Sequence, residues 1–211
     1  MTHLMQDGVE GKFRLGWDEE FLYLHAAITD PTPMLNPNKG FDIWNGDAIE
    51  LFVGPRNVDQ GGGIQVADTQ IILSAQPQDS DGRITYYWYN ERSDQPRITG
   101  VVKPADGGYT LEARIRLADL HIDKVNPPQT MRFDIGFDDG NGRQRQRQFM
   151  WNGVEGNSQN REAWGRAVLQ PAGDAPRPTP SVTPPATPTP TPTPSTVTPT
   201  PGKPGLPNTG R

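Results

Sequence analysis

The chain has 211 residues, a net charge of −5, 33% hydrophobic residues and no cysteine. That balance excludes a disulfide framework and thiolate chemistry, and it disfavours nucleic-acid binding, which rests on clustered Lys and Arg. The composition breaks near Pro171: all 17 aromatic residues precede it, while the 41 residues from there to Arg211 hold 14 prolines and 10 threonines. One domain of about 160 residues, large enough to bury a core, is therefore expected ahead of a tail that cannot build one.

In chain order, segments 13–17 and 21–29 read as strands around the Asp18-Glu19-Glu20 turn. In the second, Leu22, Leu24, Ala26 and Ile28 share one face, while Phe21, Tyr23, His25 and Ala27 share the other. Asp30-Pro31-Thr32-Pro33 ends that strand and opens a long loop. The loop leads to Trp44-Asn45-Gly46-Asp47, turn chemistry that feeds a strand from Ala48. Alternation puts Ile49, Leu51 and Val53 toward the core and Ala48, Glu50 and Phe52 away from it. A carboxylate beside an aromatic, with Trp44 at the mouth, is chemistry that holds a sugar: the indole meets the ring, and the carboxylate accepts from hydroxyls. The alternative from spacing alone is that Trp44 caps the core and Glu50 is solvated.

Gly61-Gly62-Gly63 reads as a flexible connection, since neither the Lys-Ser ending nor the helix of a phosphate loop follows it. Segments 69–75 and 83–89 are the next strands. The run Tyr86-Tyr87-Trp88-Tyr89 puts one aromatic pair in the core and leaves the other, Tyr87 and Tyr89 among the candidates, as a sugar platform or as cross-strand packing. Segments 98–103 and 109–117 follow, with a single helical turn at Leu117-Ala118-Asp119-Leu120, and segments 131–138, 145–151 and 164–169 complete about ten strands. The pattern implies an all-β fold, an antiparallel, jelly-roll-like β-sandwich with a disordered C-terminal tail. Arg143, Arg145 and Arg147 alternate with glutamines, which reads as a charged, solvated edge strand.

No catalytic constellation stands out. Glu50 and Asp139 could be paired as acid and base only because both are carboxylates, and His3, His25 and His121 are scattered. No enzyme activity is expected. The turn Asp138-Asp139-Gly140-Asn141-Gly142 clusters oxygen ligands, making Asp138, Asp139 and Asn141 calcium candidates, although the bidentate Glu of an EF-hand is missing.

The segment from Trp44 to Phe52, preceded by Trp17 to Leu24 and the Ile28-Thr29-Asp30 strand end, resembles carbohydrate-binding module family 9 and its relatives. Gly108-Tyr109-Thr110-Leu111-Glu112-Ala113-Arg114-Ile115 is similar to that family's "GY-x-x-E-A-x-I" strand. Phe133 to Asp139, Arg145, Trp151 and Trp164-Gly165 resemble its ending. The likeness covers residues 12–170 and implies a sandwich that binds polysaccharide or oligosaccharide through Trp44, Glu50, Tyr87, Tyr89 and Arg145. It also implies structural calcium as a cofactor and an extracellular setting.

There are departures from the family. Gln159 fills the position resembling a second sugar-stacking tryptophan, Ile72 stands where an Arg is expected, and the family's first strand has no clear counterpart before Lys12. Residues 1–11 are thus expected to be an N-terminal segment of a shortened domain. An alternative within the same superfamily is haem-b binding, with Met34, Met131, Met150, His25 and His121 as ligand candidates. A structural or adhesion domain that has lost sugar binding is another.

Residues 171–205 read as a Pro/Thr-rich linker. The 24 residues from 178 to 201, extended at ~3.1 Å each, span about 70 Å. Leu206-Pro207-Asn208-Thr209-Gly210 matches the LPxTG signal that sortases cleave, which makes a sortase and a cell wall candidate partners. No apolar run is long enough to cross a bilayer, and residues 1–11 lack the apolar region of a signal peptide.

Overall fold

A computed structural model describes residues 1–6, 8–32, 34–89, 98–154 and 156–171. The Pro/Thr stretch and Leu206–Gly210 lie outside the described residues.

Among the described residues, eleven strands form two antiparallel sheets. They are β1 (Thr2–Gln6), β2 (Val9–Trp17), β3 (Phe21–Thr29), β4 (Ala48–Gly54), β5 (Thr69–Pro77), β6 (Ile84–Tyr89), β7 (Ile98–Ala105), β8 (Gly108–Arg116), β9 (Gln129–Gly140), β10 (Arg145–Met150) and β11 (Gly165–Leu169). The first sheet has the order β1-β2-β3-β8-β7, and the second runs β10-β9-β4-β5-β6. β9 is 12 residues long, so one of its edges serves two strands: β11 pairs along 129–133 and β10 along 136–140. The expected β-sandwich is the observed fold.

The alternation read in β3 and β4 builds the core. Leu22, Leu24, Ala26 and Ile28 from the first sheet meet Ile49, Leu51 and Val53 from the second, all essentially buried. Each of the leucine, isoleucine and valine side chains contributes about 1.5–3 kcal/mol on leaving water. Ile71 and Leu73 of β5, and Phe133, Ile135 and Phe137 of β9, extend the same layer. β2 approaches so closely that a Cβ on Gly11 would sit 2.6 Å from the Phe137 ring.

The strands begin earlier than the sequence suggests. β1 pairs with the first half of β2, from Thr2 opposite Phe13 to Gln6 opposite Val9, and Gly8 at φ +87 makes the turn between them. Val9 and Gly11 are buried in β2. The helical turn Leu117–Leu120 is present.

Candidate functional site

The outward row of β4 lays out the site. Ala48 is covered by Ile43, from the short helical turn Gly40–Asn45, and by Ile72. Phe52 is covered by Trp164, with ring centroids 5.4 Å apart. Glu50 lies between these two covers, on the floor of a cavity of about 620 Å³ that Phe41, Trp44, Tyr89, Arg145, Gln148 and Gln159 also line. Its side chain is only 4% exposed, so the solvated reading of Glu50 does not hold.

A buried carboxylate needs partners, and Glu50 has them. Oε2 accepts from Gln70 Nε2 at 2.7 Å, and Oε1 accepts from Gln148 Nε2 at 3.0 Å and faces Arg145 Nη1 at 3.5 Å. The same two donors reach Asp138 Oδ1, Arg145 at 2.9 Å and Gln148 at 3.0 Å. Two carboxyl groups thus share one guanidinium and one amide. Burial first, and then the Glu50 charge, push the Asp138 carboxyl well above the usual carboxylate range. The Arg145 guanidinium also lies over Trp44, 4.8 Å from the ring centroid.

Aromatic rings form the rim. Tyr87 and Tyr89 contact each other at 4.9 Å, and Phe41, half-exposed on the same turn as Trp44, meets both edge-on at 6.0 and 5.5 Å. Tyr89 lines the cavity, and Tyr87 packs beside it on the Ile43–Ala48–Ile72 cluster. Burial, followed by the neighbouring Tyr87 and Glu50, pushes the Tyr89 hydroxyl up to about 12. Tyr86 and Trp88 are the core-facing pair.

The structure overturns the reading of the arginines as one solvated face. Arg145 pairs with Gly140 and Arg147 with Asp139, so Gln146 is an extra residue and the strand bulges. Arg145 therefore faces the cavity, whereas Arg147 bonds Asp139 and stacks over the core residue Phe149 at 5.3 Å. Glu50 and Asp139 consequently lie on opposite faces of the second sheet and form no pair.

The calcium candidates are likewise separated. Asp138 and Asp139 are consecutive in β9 and point to opposite faces, while Asn141 Oδ1 caps its own turn, accepting from Arg143 N at 3.0 Å and Gln144 N at 3.1 Å. Asp139 instead meets Asp30, just after β3, and Asp47, just before β4. All three are buried, with one carboxylate oxygen from each within 4.8 Å of the others. Burial pushes Asp47 to about 7, and Asp30 and Asp139 add to the effect, although Gly140 N and Leu35 N donate to its carboxyl. Three crowded, buried carboxylates, of which Asp139 is paired with Arg147, are a donor set that suits a hard cation.

The haem candidates do not gather at the site. His25 faces outward from the first sheet, Met131 belongs to the core, Met34 is partly buried against it, Met150 lies against Gly136, and His121 closes the turn after Leu120. Among the described residues, the cavity at Glu50 is lined by neither methionine nor histidine.

A family model described as carbohydrate family 9 binding domain-like matches residues 1–172. The chain belongs to that family. Among solved structures, a family 9 carbohydrate-binding module from Caldicellulosiruptor kristjanssonii in complex with cellotriose is similar to this family 9 domain with a TM-score of 0.64 and 23% identity. The likeness covers 82% of this chain and 80% of that one. The module from that organism in complex with glucose gives a TM-score of 0.63, again at 23% identity, over 82% of each chain. These likenesses establish the shared fold.

Curated relatives include endo-1,4-beta-xylanase A of Thermotoga neapolitana, 27% identical over 160 residues, and endo-1,4-beta-xylanase C of Paenibacillus barcinonensis, 29% identical over 157 residues. The matched parts cover 73% and 72% of this chain, which spans only 13% of either relative's length.

Of the five sugar-site candidates, Trp44, Glu50, Tyr89 and Arg145 line one cavity of the family 9 domain, and Tyr87 adjoins it. Phe41, Gln70 and Gln148 are absent from those candidates. Phe41, three residues before Trp44, was detectable only once a helical turn was assigned there. Gln70 depends on its register opposite Phe52.

Proposed function

We propose that the family 9 domain binds oligosaccharide in the Trp44–Glu50 cavity without performing chemistry on it. The observation that supports this most directly is the combination of an indole, a rim of Phe41 and Tyr89, and a fully hydrogen-bonded Glu50–Gln70–Gln148–Arg145 floor around one cavity. Its volume of about 620 Å³ falls in the range of ligand pockets, roughly 300–1,000 Å³. Apolar ring faces and prepaid polar partners are what a pyranose needs. Glu50 and Asp138 lie side by side under one guanidinium rather than across a scissile bond, which favours binding over glycoside hydrolysis. The solved modules with cellotriose and glucose and the xylanase relatives point to plant or microbial polysaccharide, outside the cell. Affinity is weak, because Gln159 supplies no second indole.

Asp30, Asp47 and Asp139 would hold a structural calcium ion, whose charge would offset that of three crowded carboxylates. Residues 171–205 would act as a stalk and Leu206–Gly210 as a sortase signal, displaying the domain on a cell wall.

Calorimetry of the wild type and Trp44→Ala against soluble glycans, cellotriose and xylo-oligosaccharides among them, tests the site. Binding by the wild type that is lost in the variant supports it. An unchanged affinity in Trp44→Ala sinks the assignment.

A further inference from the structure

The connection 55–68 between β4 and β5 runs 14 residues without strand or helix, a length at which a loop is usually functional or mobile. This one is held by arginines. Arg161 is fully buried, and its Nε contacts both oxygens of the buried Asp68 at 3.0 and 2.8 Å. Its Nη1 donates to the carbonyls of Asn57 at 3.1 Å and Gln60 at 2.7 Å, and Nη2 donates to that of Arg56. Arg132 of β9 adds a second tie, from Nε to Val58 O at 2.7 Å and from Nη1 to Trp164 O at 3.0 Å. The strand end is shaped around the pair, since a Cβ on Gly54 would lie 2.7 Å from Asp68 Oδ1 and 3.1 Å from Arg161 Nη2.

A buried ion pair is seldom the cheapest way to stabilise a fold, because well-packed apolar residues often do as well or better. What the planar guanidinium does that an apolar group cannot is fix several carbonyl directions at once. Those directions set the course of a segment that brings Ile64 to the sugar cavity, while residues 156–159, shortly before Arg161, line the same cavity.

We propose that Arg161 is a positioning residue for the sugar cavity: with Asp68 it locks segment 55–68 against segment 156–164, so that the cavity's two loop-borne walls are set before ligand arrives. This inference rests on the glycan reading of that cavity. A preset wall spares the ligand the entropy of ordering it, so loosening the lock weakens binding without touching a group that meets the sugar.

The test uses the full chain and three variants. Arg161→Lys keeps a cation beside Asp68 and loses the fork. Asp68→Asn keeps the shape and loses the charge, and judges the proposal should Arg161→Lys not fold. Val102→Ala, in the core of the other sheet, is the stability control. Amide hydrogen exchange and the Ile64 methyl resonance are read without ligand, and cellotriose affinity by calorimetry.

The expected result is exchange across 55–68 at least roughly tenfold faster, a displaced Ile64 methyl, and an affinity lower by about tenfold in either clamp variant. Val102→Ala should melt lower yet bind as the wild type does. Unchanged affinity in a clamp variant whose loop has loosened overturns the proposal, as does an unmoved Ile64 methyl. A wild type that binds no cellotriose counts against the glycan reading alone, and the exchange and methyl data then decide the clamp by themselves.

Discussion

Glu50 is the residue around which the cavity floor is arranged. Gln70 of the adjacent β5, and Arg145 and Gln148 of β10 on the far side of β9, donate to or face its two oxygens, and hydrogen bonds to charged groups are worth about 1.5–3 kcal/mol each. Glu50→Gln should therefore leave the domain folded while lowering cellotriose affinity by about tenfold or more, measured by calorimetry beside a thermal melt. At Gly11 the expected effect is on stability instead: a methyl placed 2.6 Å from the Phe137 ring overpacks the core, at a cost of about 1–3 kcal/mol in Gly11→Ala, visible as a lower melting temperature.

The sequence revealed Glu50 and Trp44 because a turn followed by strict alternation leaves few choices of face. It did not reveal what holds Glu50. Gln70 and Gln148 take their roles from strand register, and a single chain does not print its own pairings.

At the scale of elements, one inserted residue and one strand end decide the chemistry. The bulge at Gln146 sends Arg145 to the cavity and Arg147 to Asp139, an outcome hidden from a reading that assumes unbroken alternation. β9 turns Asp138 toward Arg145 and Gln148 beneath the cavity and Asp139 toward the Asp30–Asp47 cluster, so two adjacent carboxylates serve different sites. The cluster joins three places far apart in sequence, so sequence alone offers only the local Asp138-Asp139-Asn141 turn.

A pH dependence follows from that cluster. An ordinary Asp titrates near 3.8, whereas Asp47 in the fold is pushed to about 7. Between those values the folded chain keeps a proton that the unfolded chain has released, so stability is highest below the window and is lost as pH rises through it. In the presence of a chelator, the melting temperature should fall from pH 5 to pH 8. Calcium should raise it at pH 7 and flatten the profile by keeping Asp47 ionised and paired. A flat profile with no response to calcium would remove the cation site.

At the scale of the whole molecule, the sandwich was legible because short, alternating strands separated by turn residues leave little else to build. Its beginning was not. β1 is five residues long and carries no strong alternation, and it becomes a strand only by pairing with β2. The composition break at Pro171 predicts limited proteolysis to a resistant core ending near Leu169, with the Pro/Thr stretch removed. Resistance through that stretch would show it docked. A sortase with an oligoglycine nucleophile should ligate the chain at Thr209 and release Gly210-Arg211. Failure where a control pentapeptide reacts would withdraw the motif's role.

Whether one cavity centred on Trp44 and Glu50 takes the sugar is decided by following the wild-type chain by NMR as cellotriose is added. The Trp44 indole N–H and the side-chain amides of Gln70 and Gln148 should move together and saturate along one curve, while the buried indole of Trp88 on the core face of β6 stays still. Saturable shifts confined to residues away from this cavity, or no shifts at these three groups with any glycan of the panel, would contradict it.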